Sequence, residues 1–266
     1  MSDSLEITIE QHVARIAINR PQVHNAFDDN VIAGLTEALE KIDADPCLRA
    51  VVLTGNGSTF SAGADLNWMR SMAKASEAEN RADSERLATL MRTLNFLSKP
   101  TIAKINGSAY GGGVGLVACC DVAIAVDTAK FGLTEVKLGL VPAVISPYVI
   151  AAIGSRHARR FFISAEIFDA EEAARIGLVH QVVSAVHLDE HLDRSLHWLK
   201  KGGPTAQREA KYLALRMGRI TKDEAQTSDT RNAALIARLR VSAEGQEGLG
   251  AFLDKRAPRW VDGKLT

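Results

Sequence analysis

Three stretches of this chain hold residues that could do chemistry: SAGAD at 61–65, AYGGGVGL at 109–116, and one acid, Glu135. Glycine lacks a Cβ, so both Gly-rich stretches permit tight turns and let a ligand approach the backbone. A helix that starts in such a turn leaves its first N–H groups without intrahelical partners. If the N–H groups of Ala64 and Gly112 converge, they can bind one carbonyl oxygen, most strongly when it carries developing negative charge. Glu135 would then move protons on the carbons beside that carbonyl. Neither glycine stretch is specific alone, since tight packing also uses glycine. AYGGGVG lacks the spacing of a dinucleotide fingerprint, and GxxxxGK[ST] is absent, which disfavours nucleotide hydrolysis.

The elements that must position these residues can be read from periodicity. LEITIE (5–10) and VARIAINR (13–20) alternate apolar and polar residues about a short turn, which predicts a hairpin ended by Pro21. Ile32, Leu35, Leu39 and Ile42 recur at helical spacing behind Asp28, a candidate N-cap. LRAVVLTG (48–55), TIAKING (101–107) and DVAIAV (121–126) read as buried strands. Residues 66–97 are mostly helix formers, with a loop expected around 72–82, and further helices are expected over 111–120 and near 146–153. Strand, Gly turn and helix therefore occur twice, at 51–70 and 102–119, which predicts an α/β fold with a largely parallel sheet. After about residue 200 the pattern is helical without a clear strand, and Pro204 behind Gly202–Gly203 marks a helix start. The expected division is a core over 1–200 and a C-terminal helical region over 201–266 that serves oligomerisation and completes the site. The tail RAPRWVDGKLT, with Arg256, Arg259 and Lys264 around Trp260, reads as a solvated end or as a contact to a phosphate or a neighbouring subunit.

Composition narrows the function classes. The 266 residues carry 32 basic and 32 acidic side chains, so no general surface for nucleic acid or anionic membrane is expected. Aromatic content is only 5% and no module of stacking aromatics with basic residues is present, a second argument against nucleic-acid binding. No apolar run reaches 18 residues and the N-terminus carries no apolar signal segment, so the chain reads as soluble and cytoplasmic. Cys47, Cys119 and Cys120 lack metal-type spacing and read as thiols, the adjacent pair buried. The seven histidines are scattered without HExxH, so no metal is expected.

FSAGADL (60–66), INGSAYGGGVGL (105–116), CDVAIA (120–125), FGLTEVKLGL (131–140) and EAARIGLV (172–179) together resemble the enoyl-CoA hydratase/isomerase, or crotonase, superfamily. ARIAINRPQVHNAF (14–27) is similar to its N-terminal signature, so the resemblance covers nearly the whole chain. It implies a spiral core of repeated ββα units with two roughly perpendicular sheets and C-terminal helices. It also implies homotrimers, commonly paired into hexamers, and acyl-coenzyme A thioesters as substrates, with no cofactor beyond the coenzyme A that the substrate carries. By position, the N–H groups of Ala64 and Gly112 would form the oxyanion hole, Glu135 would be the acid–base, and Ala62, Ala64 and Leu66 would border the adenine. Arg20 would lie near the phosphate end of the ligand.

Hydratases of this family typically use two glutamates, and the first would fall at position 115, where this chain has Gly115. One acid suits double-bond isomerisation. Hydration with one acid needs a water held elsewhere, by backbone or by the substrate's own carboxylate. A second departure is PAVISPY (142–148), where many members are Gly-rich. It reads as a repacked helix start or as a reshaped acyl pocket with Ser146 or Tyr148 as a polar handle. Trp68, Met69 and Met72 would form an apolar wall beside the acyl tail. The blocks GGGVGLVACCD, LTEVKLGLVPAVISPYVI and ARRFF are similar to methylglutaconyl-CoA and isohexenylglutaconyl-CoA hydratases. The expected activity is thus hydration of a 3-branched glutaconyl-CoA, the methyl form preferred and the isohexenyl form the alternative. A Δ3,Δ2-enoyl-CoA isomerase and a non-catalytic acyl-CoA-binding member are the other readings.

Overall fold

A computed structural model describes residues 4–218 and 222–262. Lys264, one of the tail cations considered above, lies outside the described residues. The chain opens with the expected hairpin: β1 (Leu5–Glu10) pairs antiparallel with β2 (Val13–Ile18), Leu5 opposite Ile18 and Glu10 opposite Val13. Gln11 and His12 both adopt positive φ, 49° and 67°, which is the turn twist that lets two strands rejoin after two residues. From β2 onward the sheet is parallel. Strands β3 (Ala50–Gly55), β5 (Thr101–Ile105), β7 (Val122–Val126) and β10 (Gln181–Val183) extend it in the order β1-β2-β3-β5-β7-β10. A parallel sheet covered on both faces needs near-continuous apolar strands, and AVVLTG, TIAKI and VAIAV supply them.

Each of β3, β5 and β7 is followed by a three-residue strand that leaves for a second sheet. These are β4 (Thr59–Ser61), β6 (Ser108–Tyr110) and β8 (Lys130–Gly132), and β9 (Ile167–Asp169) closes that sheet antiparallel, giving the order β4-β6-β8-β9. Helices α2 (Leu66–Lys74), α4 (Gly112–Cys119) and α5 (Ser146–Ser164) then follow in turn. The layout is three ββα units in succession, the repeated core of the crotonase fold. Helix α1 (Asp29–Ala44) begins where Asp28 accepts the N–H of Val31. The helix-rich stretch over 66–97 is divided at Ala75–Ser76: Ser76 and Glu79 form a reciprocal capping box that starts α3 (Glu77–Asn95). The helix expected near 146–153 is the first segment of α5. Gly154, at φ 72°, breaks the helical path before the chain turns helical again to Ser164.

The C-terminal part is helical: α6 (Ala170–Arg175) and α7 (Leu188–Lys201) lead to α8 (Pro204–Met217), α9 (Lys222–Val241) and α10 (Ala243–Leu253). Polar pairs tie these helices to the core. Asp121 accepts both the N–H and the Oγ1 of Thr101 and pairs with Lys211 at 2.9 Å, so its carboxylate is structural. Arg92 of α3 pairs with Asp229 of α9, and Arg240 of α9 faces Asp83 of α3. In the tail, Arg256 and Arg259 both reach Glu247. Cys119 and Cys120 are buried and Cys47 is exposed, all three as free thiols. No helix among the described residues is long and apolar enough to cross a membrane.

Candidate active site

The two Gly-rich turns meet. Gly63 has φ 83°, and a Cβ there would stand 2.7 Å from the Tyr110 carbonyl oxygen and 3.5 Å from the Gly112 nitrogen, so SAGAD packs directly against the start of α4. Only glycine fits both that backbone conformation and that approach. Phe27 and Ala64 form an isolated parallel bridge: Phe27 N–H donates to Gly63 O, and Asp65 N–H donates to Phe27 O. The Ala64 N–H between them, and the Gly112 N–H, donate to no acceptor among the described residues. Both residues line one cavity of about 700 Å³, within the range of small-molecule sites. Two N–H groups without partners at the wall of one cavity are what an oxyanion site requires.

Glu135 opens a 3-10 turn (Glu135–Leu138) directly after β8 and lines the same cavity. Its Oε1 lies 3.3 Å from where a Cβ on Gly111 would be, and Gly111 has φ 50°. The second oxygen, Oε2, is buried without a hydrogen-bond partner among the described residues. Burial outweighs the lowering effect of a backbone hydrogen bond and pushes the carboxyl up to about 7. A carboxyl that changes charge near neutral pH can both take and return a proton.

Position 115 has no room for a carboxylate. A Cβ there would stand 2.9 Å from Ile145 Cβ, closer still to Ile145 Cγ2, and 3.2 Å from Met91 Cε. The only other carboxylate lining the cavity, Asp65, is engaged: it accepts from the N–H groups of Asn67 and Trp68 as the N-cap of α2, and from Arg20 at 3.0 Å. Glu135 is therefore the one lining carboxylate among the described residues with an uncommitted oxygen.

The remaining residues named from sequence divide. Ala62, Leu66, Trp68, Met69 and Met72 line the cavity. Arg20, Ser146 and Tyr148 are not among its lining residues. Arg20 joins two helix starts: it pairs with Asp65 and Asp28 and donates to Ala26 O at 2.6 Å, so its guanidinium is occupied by the protein itself. Ser146 Oγ turns back to Ala143 O at 2.7 Å. Tyr148 is 1% exposed in the core, and burial pushes its hydroxyl up. Sequence reasoning missed Ile236, Arg240, Leu249 and Phe252, which close the cavity from α9 and α10. Only tertiary packing brings them here; nothing in the local sequence marks them. No group of three or more His, Cys, Asp or Glu arranged to hold a metal occurs among the described residues.

A profile of the enoyl-CoA hydratase/isomerase family matches residues 8–263. The chain belongs to that family. It is 32% identical over 255 residues to the 2,3-dehydroadipyl-CoA hydratase of Escherichia coli, covering 96% of this chain and 97% of that one. To the crotonyl-CoA hydratase of Syntrophomonas wolfei it is 30% identical over 259 residues, with 95% of each chain covered. A solved enoyl-CoA hydratase from Shewanella pealeana is 42% identical, with a TM-score of 0.78 over 97% of this chain and 96% of that one. The chemistry is accordingly that of enoyl-CoA hydratases and isomerases on acyl-CoA substrates.

Because Asp65 both caps α2 and anchors Arg20 beside the Ala64 turn, its removal should loosen the site. Asp65→Ala is expected to lower stability by about 2 kcal/mol, combining a lost cap with a part-buried guanidinium left with one carboxylate partner, Asp28, in place of two. Urea denaturation measures this, and turnover should fall with it.

Proposed function

We propose that this protein adds water across the α,β double bond of a 3-branched glutaconyl-CoA, with 3-methylglutaconyl-CoA preferred and the isohexenyl form as the alternative substrate. The reading rests on the free carboxylate of Glu135 beside two unpaired N–H groups. The thioester oxygen accepts from Ala64 and Gly112, which draws electrons from the β-carbon. Ionised Glu135 takes a proton from water as the water oxygen bonds to that carbon. The electron pair moves toward the thioester oxygen, giving an enolate. Glu135, now protonated, returns the proton to the α-carbon on the same face. The coenzyme A portion would run past Ala62 and Leu66, with Trp68, Met69 and Met72 along the acyl group. The similarity of GGGVGLVACCD and LTEVKLGLVPAVISPYVI to hydratases of branched glutaconyl thioesters supports the substrate. So does the relative named for 2,3-dehydroadipyl-CoA, an acyl group that also ends in a carboxylate. A homotrimer or dimer of trimers is the proposed assembly, checked by light scattering.

The filled space at Gly115 favours a second reading, Δ3,Δ2-enoyl isomerisation, in which Glu135 removes a proton from one carbon and returns it two carbons away. Oxygen-18 water separates the two. Incubation with 3-methylglutaconyl-CoA should bleach the conjugated enoyl absorbance and place one labelled oxygen in the product. Double-bond migration without label would replace hydration by isomerisation, and unchanged substrate would overturn both.

A further inference from the structure

Among the described residues that line the cavity, one cation is buried. Arg240, on the last turn of α9, is 9% exposed and lines the cavity together with Ile236, Leu249 and Leu87, all apolar. The other lining cations, Arg70 and Lys137, are exposed. The Arg240 guanidinium carbon sits 5.5 Å from the centroid of the Trp68 ring. Trp68 belongs to the first turn of α2, whose cap Asp65 follows Ala64, and Ala64, Gly112, Trp68 and Arg240 all line this one cavity.

The charge of Arg240 is incompletely matched. Its side-chain hydrogen bonds among the described residues leave from one nitrogen, Nη1, toward Asn80 Oδ1 at 3.2 Å and Asp83 Oδ2 at 3.5 Å. Asp83 is itself shared, and lies closer to Arg86, at 3.0 Å. Two guanidiniums thus face one carboxylate, leaving the trio one positive charge in excess. Arg86 is half exposed, so water hydrates and screens its charge; Arg240 is largely shielded from water. A guanidinium presents paired donors that match a carboxylate, and a dry apolar wall strengthens that pairing. Burial also draws Arg240 down from its usual value despite the opposing effect of Asp83.

We infer that Arg240 is a specificity residue that receives a carboxylate at the far end of the acyl group, so that the site selects dicarboxylic over monocarboxylic acyl-CoA thioesters. The inference deepens the proposed function and rests on acyl-CoA occupying this cavity. It does not depend on hydration.

Calorimetric titration with two saturated thioesters, glutaryl-CoA and butyryl-CoA, tests it without any chemical step. The intact protein is expected to bind glutaryl-CoA at least tenfold more tightly than butyryl-CoA. Arg240→Met should erase that preference and leave butyryl-CoA affinity within about threefold, with folding checked by thermal melting. Arg240→Lys, which keeps the charge but loses the fork, should retain part of the preference, and it serves as the readout if Arg240→Met does not fold. Equal or tighter binding of butyryl-CoA by the intact protein would overturn the inference. So would a parallel loss of both ligands in a folded Arg240 variant, which would mark a purely structural ion pair. If glutaryl-CoA binds with the expected preference while 3-methylglutaconyl-CoA stays unhydrated, the proposed reaction fails and the carboxylate subsite stands. If neither thioester binds, both fall.

Discussion

Glu135→Gln should abolish turnover and, above neutral pH, make the protein more stable relative to wild type. Glutamine keeps the shape of the side chain but cannot exchange a proton, so activity should fall by a factor of about 1000 or more if Glu135 is the acid–base. The stability change follows from the same burial. An unfolded glutamate titrates near 4.5, whereas Glu135 in the fold titrates near 7. Below pH 4.5 the carboxyl is neutral in both states, and its titration does not affect folding. Between 4.5 and 7 the unfolded chain ionises while the folded one holds its proton, so wild-type stability declines as pH rises. Above 7 the native state carries the buried charge and the full penalty is present. A displacement of this size corresponds to about 3 kcal/mol. The variant lacks this dependence. Any fixed loss from burying the amide is the same at every pH. The stability difference between variant and wild type should therefore move by about 3 kcal/mol in the variant's favour from pH 4.5 to pH 8. Urea denaturation at the two pH values measures it, and no relative change would mean that Glu135 is not buried as a reluctant anion. In wild type the same ionisation should make kcat/KM climb with pH and level off above about 7.

The proposed role of Glu135 was only half legible in the sequence. That Glu135 would stand beside two Gly turns followed from the family resemblance of the blocks around 61–65, 109–116 and 131–140; each block is local, but their meeting is tertiary, as Gly63 against Tyr110 shows. The hairpin, the parallel strands and the Asp28 cap were readable because period and capping chemistry act within a few residues. The strands of the second sheet were not. TFS, SAY, KFG and IFD are three residues each, too short to show a period; the first three become strands because β3, β5 and β7 deliver them side by side, and IFD because α5 returns it antiparallel to β8. Tyr148 illustrates the opposite limit. It is a polar residue at a helix start next to a motif, yet its side chain turns into the core and its hydroxyl finds no partner among the described residues. Arg240 lies more than 170 residues along the chain from Trp68, and only the packing of α9 on the core places the two together.

The two departures from the family pattern, Gly115 and the stretch PAVISPY, are one change in space, and a double-mutant cycle should show it. Ile145, 3% exposed, stands where a side chain at 115 would begin, with Met91 on the other side. Adding a single methyl as Gly115→Ala on α4 drives it into the branched Cβ of Ile145, the cap residue that starts α5. A stability loss of about 2 kcal/mol is expected, the range for overpacking a filled core, although alanine alone would favour the helix. Ile145→Ala alone empties space and should lose about 3 kcal/mol through the cavity it leaves. Combined, each substitution relieves the other: the new methyl enters the space that the isoleucine vacated. The double variant should be more stable than the sum of the two losses implies by at least about 1 kcal/mol. Strict additivity in urea denaturation would show that the two positions do not compete for one volume. Gly115→Glu on its own should be more damaging than Gly115→Ala, since it adds a desolvated charge to the clash. A second catalytic carboxylate thus cannot be restored at 115 by one substitution. Ile145 fills the volume such an acid would need, so under the proposed hydration the water opposite Glu135 would be held by the backbone or by the substrate.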